Sequence, residues 1–161
     1  GEPLPKELLD KMLAAKNFQS GMQMLRQIEF SLYDMRLHAE YVDAQPNMIF
    51  SVMNEVRDRV AVMPVPEFNR FAHSFSHIFA GGYSAGYFSY KWAEVLSADV
   101  FAMFEEAVAQ GAPLLNQDLG QRYWREVLAV GGSRPAMTSF KALRGREPQV
   151  DALRRHSGLA A

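Results

Sequence analysis

From Met22 to Val42 the apolar residues Leu25, Ile28, Leu32, Met35 and Tyr41 recur at the spacing of three and four that lines one side of an α-helix. Most residues between them are good helix formers, so the stretch predicts one long amphipathic helix. The same period runs through most of the other segments. Strand-like alternation is absent, and no internal repeat or low-complexity segment interrupts the chain. The pattern therefore predicts an all-α helical bundle.

Breakers divide the pattern. Pro5 suits a first helical position, and Leu8, Leu9, Met12 and Leu13 give a short apolar stripe up to about Lys16. Asn17 or Ser20 is placed to cap the long helix that follows. Pro46 and Asn47 end that helix and open a third, Met48 to about Ala61. Met63-Pro64-Val65-Pro66 stops it, because proline lacks the amide a helix interior needs. A short segment rich in aromatics and histidine, Phe68 to Ala80, leads into Gly81-Gly82, a hinge or tight turn. A long helical pattern follows, expected to start near Ser84 and to end at Gly111 with Pro113 beyond. Residues 116–130, 135–144 and 148–156 read as three shorter helices.

The 161 residues suffice for one domain with a real core, and 48% hydrophobic content argues for a folded chain. A net charge of −1 gives no global electrostatic case for nucleic acid or membrane binding. The absence of cysteine removes disulfides, thiol catalysis and thiolate metal sites. No apolar run reaches membrane-spanning length. The start, Gly1-Glu2-Pro3-Leu4-Pro5, lacks an initiator Met and a signal-peptide pattern, and reads as a loop inside a longer protein. A cytoplasmic location is the expectation.

The chemically informative stretch runs from His77 to Trp92. Tyr83, Tyr87 and Tyr90 are spaced i, i+4, i+7, which on a helix aligns three phenols along one wall. Gly81-Gly82 just before them lets backbone or substrate approach closely. Tyr and His can each donate a hydrogen bond to a developing oxyanion. Aromatic stripes at helical spacing are more often core, with each phenol satisfied by backbone. Gly86, costly inside a helix, calls for close packing or a bend.

Other candidates carry less. His73 and His77 sit i, i+4 like a helical zinc pair, but no Glu follows the first His and no third ligand suggests itself, so His73 reads as structural. His38 and His156 lie among charged residues and read as solvated. Arg26, Glu29, Arg36 and Glu40 fit exposed helical ion pairs. The run Arg144-Gly145-Arg146-Glu147-Pro148 could grip a carboxylate. A helix C-cap held by salt bridges accounts for it better.

The run from Phe75 to Leu96, FSHIFAGGYSAGYFSYKWAEVL, resembles the substrate-binding segment of the thimet oligopeptidase and oligopeptidase A family of zinc metallopeptidases. Within that family it is most similar to the bacterial oligopeptidase A branch. Supporting matches are Asn17-Phe18-Gln19-Ser20-Gly21, Gly131-Gly132-Ser133, Phe140, the run Arg144 to Pro148, and Arg155-His156-Ser157-Gly158-Leu159. The resemblance covers essentially the whole chain.

It implies a nearly all-helical, two-lobed fold with a deep channel, of which residues 1–161 form the C-terminal part of the catalytic domain, within one lobe. It implies hydrolysis of short peptides with one zinc, held by an HExxH helix and a downstream Glu. No HExxH occurs in this sequence, so zinc is expected in the full-length parent and none on this chain. It implies catalytic roles for His77 and Tyr90, and substrate contacts for Tyr83, Tyr87 and the flexible Gly81-Gly82 loop. The implied partners are short peptide substrates and the missing N-terminal portion of the enzyme, with no nucleic acid and no membrane. The alternative is an autonomous helical interaction module without catalysis. An upstream HExxH in the parent reading frame separates the two.

Overall fold

The computed structural model describes residues 1–43, 45 and 47–159. Every regular element among them is helical. They are α1 (Lys6–Ala15), α2 (Ser20–Glu40), α3 (Met48–Val60), α4 (Phe71–Ser74), α5 (Ser76–Phe79), α6 (Ser89–Ala109), α7 (Gln117–Tyr123), α8 (Ala136–Arg144) and α9 (Asp151–His156). A π-helical turn, Trp124–Leu128, extends α7. The all-α reading holds. Pro46, expected to help end α2, lies outside the described residues. The chain forms two compact units, Gly1–Lys91 and Trp92–Ala161, divided within α6.

In the first unit α2 packs on α3, and α3 on α4. The core joins Tyr33 and Leu37 of α2 to Val52 and Met53 of α3, then to Ala72, Phe75, Ile78 and Tyr87. Phe30 stacks on Phe71 with centroids 4.6 Å apart, and the Arg26 guanidinium lies 4.3 Å from the Phe30 centroid. Such burial is worth about 1.5–3 kcal/mol for each large apolar side chain.

The buried side of α2 differs from the expected one. Glu29, Tyr33, Asp34 and Leu37 face the core, whereas Met35 and Tyr41 are exposed and Leu25, Ile28 and Leu32 are half-buried. Apolar spacing marks a face by its hydrocarbon, and here two carboxylates occupy core positions because each has donors. Glu29 receives both Arg26 (3.0 Å) and Arg57 (3.0 Å), so the expected Arg26–Glu29 pair exists but is not an exposed one. Arg36 and Glu40 do form their surface pair. Neither Asn17 nor Ser20 serves as the N-cap of α2. Gln19 occupies that position with φ 53°, and the Asn17 carbonyl accepts the Ser20 amide. The helix α1 buries no residue: Leu8, Leu9, Met12 and Leu13 all remain exposed.

The second unit is tied by charge. Asp99, 1% exposed, takes hydrogen bonds from Arg144 Nε (3.1 Å), Arg146 Nη1 and Nη2 (2.7 and 2.6 Å) and the Gln149 amide (2.8 Å). Arg144 also grips Glu106 through both Nη atoms. The α8 C-cap is Gly145 at φ 72°, a left-handed position glycine takes without strain. The Arg144–Pro148 run is thus a salt-bridged C-cap. Asn116 caps α7 by accepting the Leu119 amide at 3.0 Å. His156, read as solvated, instead lies 2.8 Å from Glu105.

Candidate functional site

The helix carrying the tyrosines starts five residues later than its spacing suggests. α6 opens at Ser89, and residues 84–88 form turns. Only Tyr90 is helical; Tyr83 and Tyr87 precede the helix. Ser84 does not cap α6, because its Oγ donates to the Ile78 carbonyl. Gly86 sits in the turn, where the helical penalty for glycine does not apply.

Side-chain capture explains the delayed start. The Asp34 carboxylate, fully buried on α2, accepts the amides of Ala85 through Oδ1 and Tyr87 through Oδ2, each at 2.9 Å. Ala85 is held at φ 52°, left-handed for a residue with a Cβ. A buried carboxylate is tolerable only when donors fill it, and two convergent amides do so. His38 Nδ1, 2.9 Å from Oδ1, supplies a third contact, so His38 is not simply solvated.

Although the helix expected to align them is absent there, the aromatic groups meet. Tyr83 and Tyr90 stack at 4.9 Å, and Tyr87 lies 5.1 Å from Tyr90. The His77 ring is 6.2 Å from Tyr83, 5.9 Å from Tyr87 and 6.4 Å from Tyr90. His77 and Tyr90 are exposed, the latter by 39%, and Tyr83 is half-buried. Tyr87 is different: 9% exposed, it belongs to the core, and its hydroxyl donates to Gln27 Oε1 at 3.1 Å. Burial pushes the Tyr87 phenol above its ordinary pKa. The Tyr90 phenol is pushed up to about 12, chiefly by a hydrogen bond with the Tyr83 hydroxyl. Both therefore remain neutral donors at pH 7.

Two exposed glycines shape the turn beneath His77. A Cβ on Gly81 would lie 2.8 Å from His77 Cα and 3.0 Å from its carbonyl oxygen, so only glycine fits that approach. Gly82 has φ 79° with open space around it. The Gly81 amide donates to Ser76 O (2.8 Å) and the Tyr83 amide to His77 O (3.0 Å), which seats Tyr83 beside His77.

His73 lies apart, its ring edge-on to Phe50 at 5.3 Å. Among the described residues no group of three His, Asp or Glu side chains is placed to hold a metal ion. By themselves these residues do not fit a zinc centre. Asp34 is legible only indirectly: it is a carboxylate between Tyr33 and Leu37, on the side that proves to be core.

The sequence model of Peptidase family M3 matches residues 1–159, and the chain belongs to that family. Oligopeptidase A of Escherichia coli (strain K12) is 54% identical over 159 residues, 99% of this chain and 23% of the relative. Organellar oligopeptidase A, chloroplastic/mitochondrial, of Arabidopsis thaliana is 47% identical over 161 residues, 100% of this chain and 20% of the relative. Dipeptidyl carboxypeptidase of Salmonella typhimurium is 35% identical over 161 residues, again 99% and 23%. The chain thus spans under a quarter of the length of these curated relatives.

Proposed function

We propose that this chain is the C-terminal part of the catalytic domain of a zinc oligopeptidase that hydrolyses short peptides, and that it supplies the substrate side of the active site. The observation that carries this reading is the cluster of His77, Tyr83 and Tyr90 around the Gly81-Gly82 turn. His77 and Tyr90 are exposed, Tyr83 is half-buried, and the cluster is rich in donors, within a chain of peptidase family M3. His77 and Tyr90 are assigned to stabilise the oxyanion of the tetrahedral intermediate. Tyr83 and the Gly81-Gly82 backbone contact the peptide. Tyr87 contributes its ring edge as the floor of this wall, since its hydroxyl is committed to Gln27.

The metal of such an enzyme is zinc, and its ligands and general base belong to the preceding part of the polypeptide, because this sequence contains no HExxH. That part is also the partner of this chain. No helix among the described residues is long and apolar enough to cross a membrane. The proposed location is the cytoplasm.

The test compares the 161-residue chain, the preceding part and the full-length polypeptide on a quenched fluorescent peptide at neutral pH. The full-length protein should cleave it, and the chain alone should neither cleave it nor bind equimolar zinc tightly. Cleavage by the chain alone would refute the division of labour. An inactive full-length protein would favour a non-catalytic helical module.

A further inference from the structure

The Asp34 carboxylate acts at long range in sequence. It stands on α2, yet its two oxygens are committed to amides 51 and 53 residues further on. Those amides belong to the turn that separates Tyr83 from α6. Within that turn the Gly86 amide donates to Tyr83 O (2.8 Å), and the Ser89 amide, at the first residue of α6, donates to Gly86 O (3.0 Å). A continuous path of hydrogen bonds therefore runs from Tyr83 to the helix that carries Tyr90, with Asp34 pinning its middle.

The pinned conformation is one the turn would not choose unaided. Ala85 at φ 52° is left-handed, and a non-glycine residue stays there only when its surroundings over-determine it. Without the clamp, residues 84–88 have the composition to join α6, which is how their spacing reads. The helix would then place Tyr87 at a helical position and redirect the backbone that seats Tyr83 beside His77.

We propose that Asp34 is a positioning residue for the tyrosine wall: by clamping the Ala85 and Tyr87 amides it delays the start of α6 and sets the Tyr83 ring on that of Tyr90. This inference rests on the reading of His77, Tyr83 and Tyr90 as a peptide-facing, oxyanion-stabilising group. Asp34 is fully buried, with His38 Nδ1 2.9 Å from its Oδ1, and it reaches the tyrosine wall through the two amides it holds. Asn in its place keeps the shape but turns an amide donor toward one of the two N–H groups, so one clamp bond is lost.

The experiment is a double-mutant cycle of Asp34→Asn and Tyr90→Phe in the full-length protein, reading kcat and KM separately. Asp34→Asn alone should lower kcat by up to about 10²-fold, the scale of a misplaced catalytic group. KM should change little. In the Tyr90→Phe background the same change should cost little, because the hydroxyl it positions is gone. A costly Tyr90→Phe with a silent Asp34→Asn, or with losses that simply multiply, overturns the Asp34 proposal and leaves the site reading intact. A silent Tyr90→Phe overturns the site reading and the proposal with it. If Asp34→Asn does not fold, amide exchange in the unaltered protein decides. Protection of Ala85 and Tyr87 matching the core of α2 supports the clamp, and exchange at the rate of an open loop refutes it.

Discussion

The Tyr83 and Tyr90 rings stack at 4.9 Å with planes 26° apart, and the Tyr83 hydroxyl holds the proton on Tyr90 until about pH 12. The ordinary phenol value is 10.0, so Tyr90 is protonated over the whole physiological range with or without the shift. Replacing Tyr83 by Phe removes the hydrogen bond that contributes most to the shift and should bring Tyr90 back toward 10.0. Titration of tyrosinate absorbance in the two proteins checks this. An unchanged Tyr90 titration would mean that the two hydroxyls do not interact.

Gly81 and Gly82 should respond unequally to alanine. At Gly81 the new Cβ would collide with the His77 backbone, so the turn must move and carry His77 and Tyr83 with it. At Gly82 there is room, and the cost is the left-handed φ, roughly 1–2 kcal/mol. In the full-length protein Gly81→Ala should depress kcat/KM more than Gly82→Ala does. Equal effects would show that the close approach to His77 does not matter.

Tyr33 is fully buried, and its hydroxyl has no hydrogen-bond partner among the described residues. Burial pushes its phenol up to about 12. A raised pKa means that the folded state holds the proton more tightly than the unfolded state. Its contribution to stability is thus complete below pH 10.0 and is lost as pH rises through about 12. Tyr33→Phe keeps the ring and removes the unpaired group. It should leave stability equal or raise it by about 1 kcal/mol at neutral pH, with a smaller decline at alkaline pH. Urea denaturation at neutral and alkaline pH measures both.

In the second unit Asp99 is the group to break. Burial alone would raise its pKa, but hydrogen bonds from Arg146 and the Gln149 amide, with Arg144 alongside, hold it below the ordinary 3.8. Its stabilisation is complete above that ordinary value and is lost as pH falls through the lower folded value. Asp99→Ala leaves Arg146 and the Gln149 amide without their buried acceptor, while Arg144 keeps Glu106, and should cost about 3 kcal/mol. Thermal melts at neutral pH check it, and a loss under about 1 kcal/mol would mean the network behaves as a surface one.

How far the sequence carries these conclusions depends on the residue. Helix periods and Pro and Gly breakers locate α1, α3 and α8 to within a residue or two, because local propensity and tertiary packing agree there. The buried side of α2 is hidden from its spacing because Glu29 and Asp34 count as surface residues until their partners, Arg57 and the 84–88 turn, are known. Those partners lie 28 and 51 residues away. The start of α6 is misread for the same reason, since a buried carboxylate captures two amides that helical spacing would have used. Family resemblance, more than spacing, groups His77 with Tyr83 and Tyr90, and the three rings come together through a turn instead of along one helix face.

Whether this wall faces a peptide during hydrolysis is tested most directly by Tyr90→Phe in the full-length protein. The change removes one hydroxyl from a residue that is 39% exposed and leaves its stacking on Tyr83 in place. Loss of an oxyanion donor should lower kcat/KM by about 10²–10³-fold, with the melting temperature nearly unchanged. Turnover at the unaltered rate would contradict the assignment of Tyr90 to the oxyanion and of the wall to the substrate.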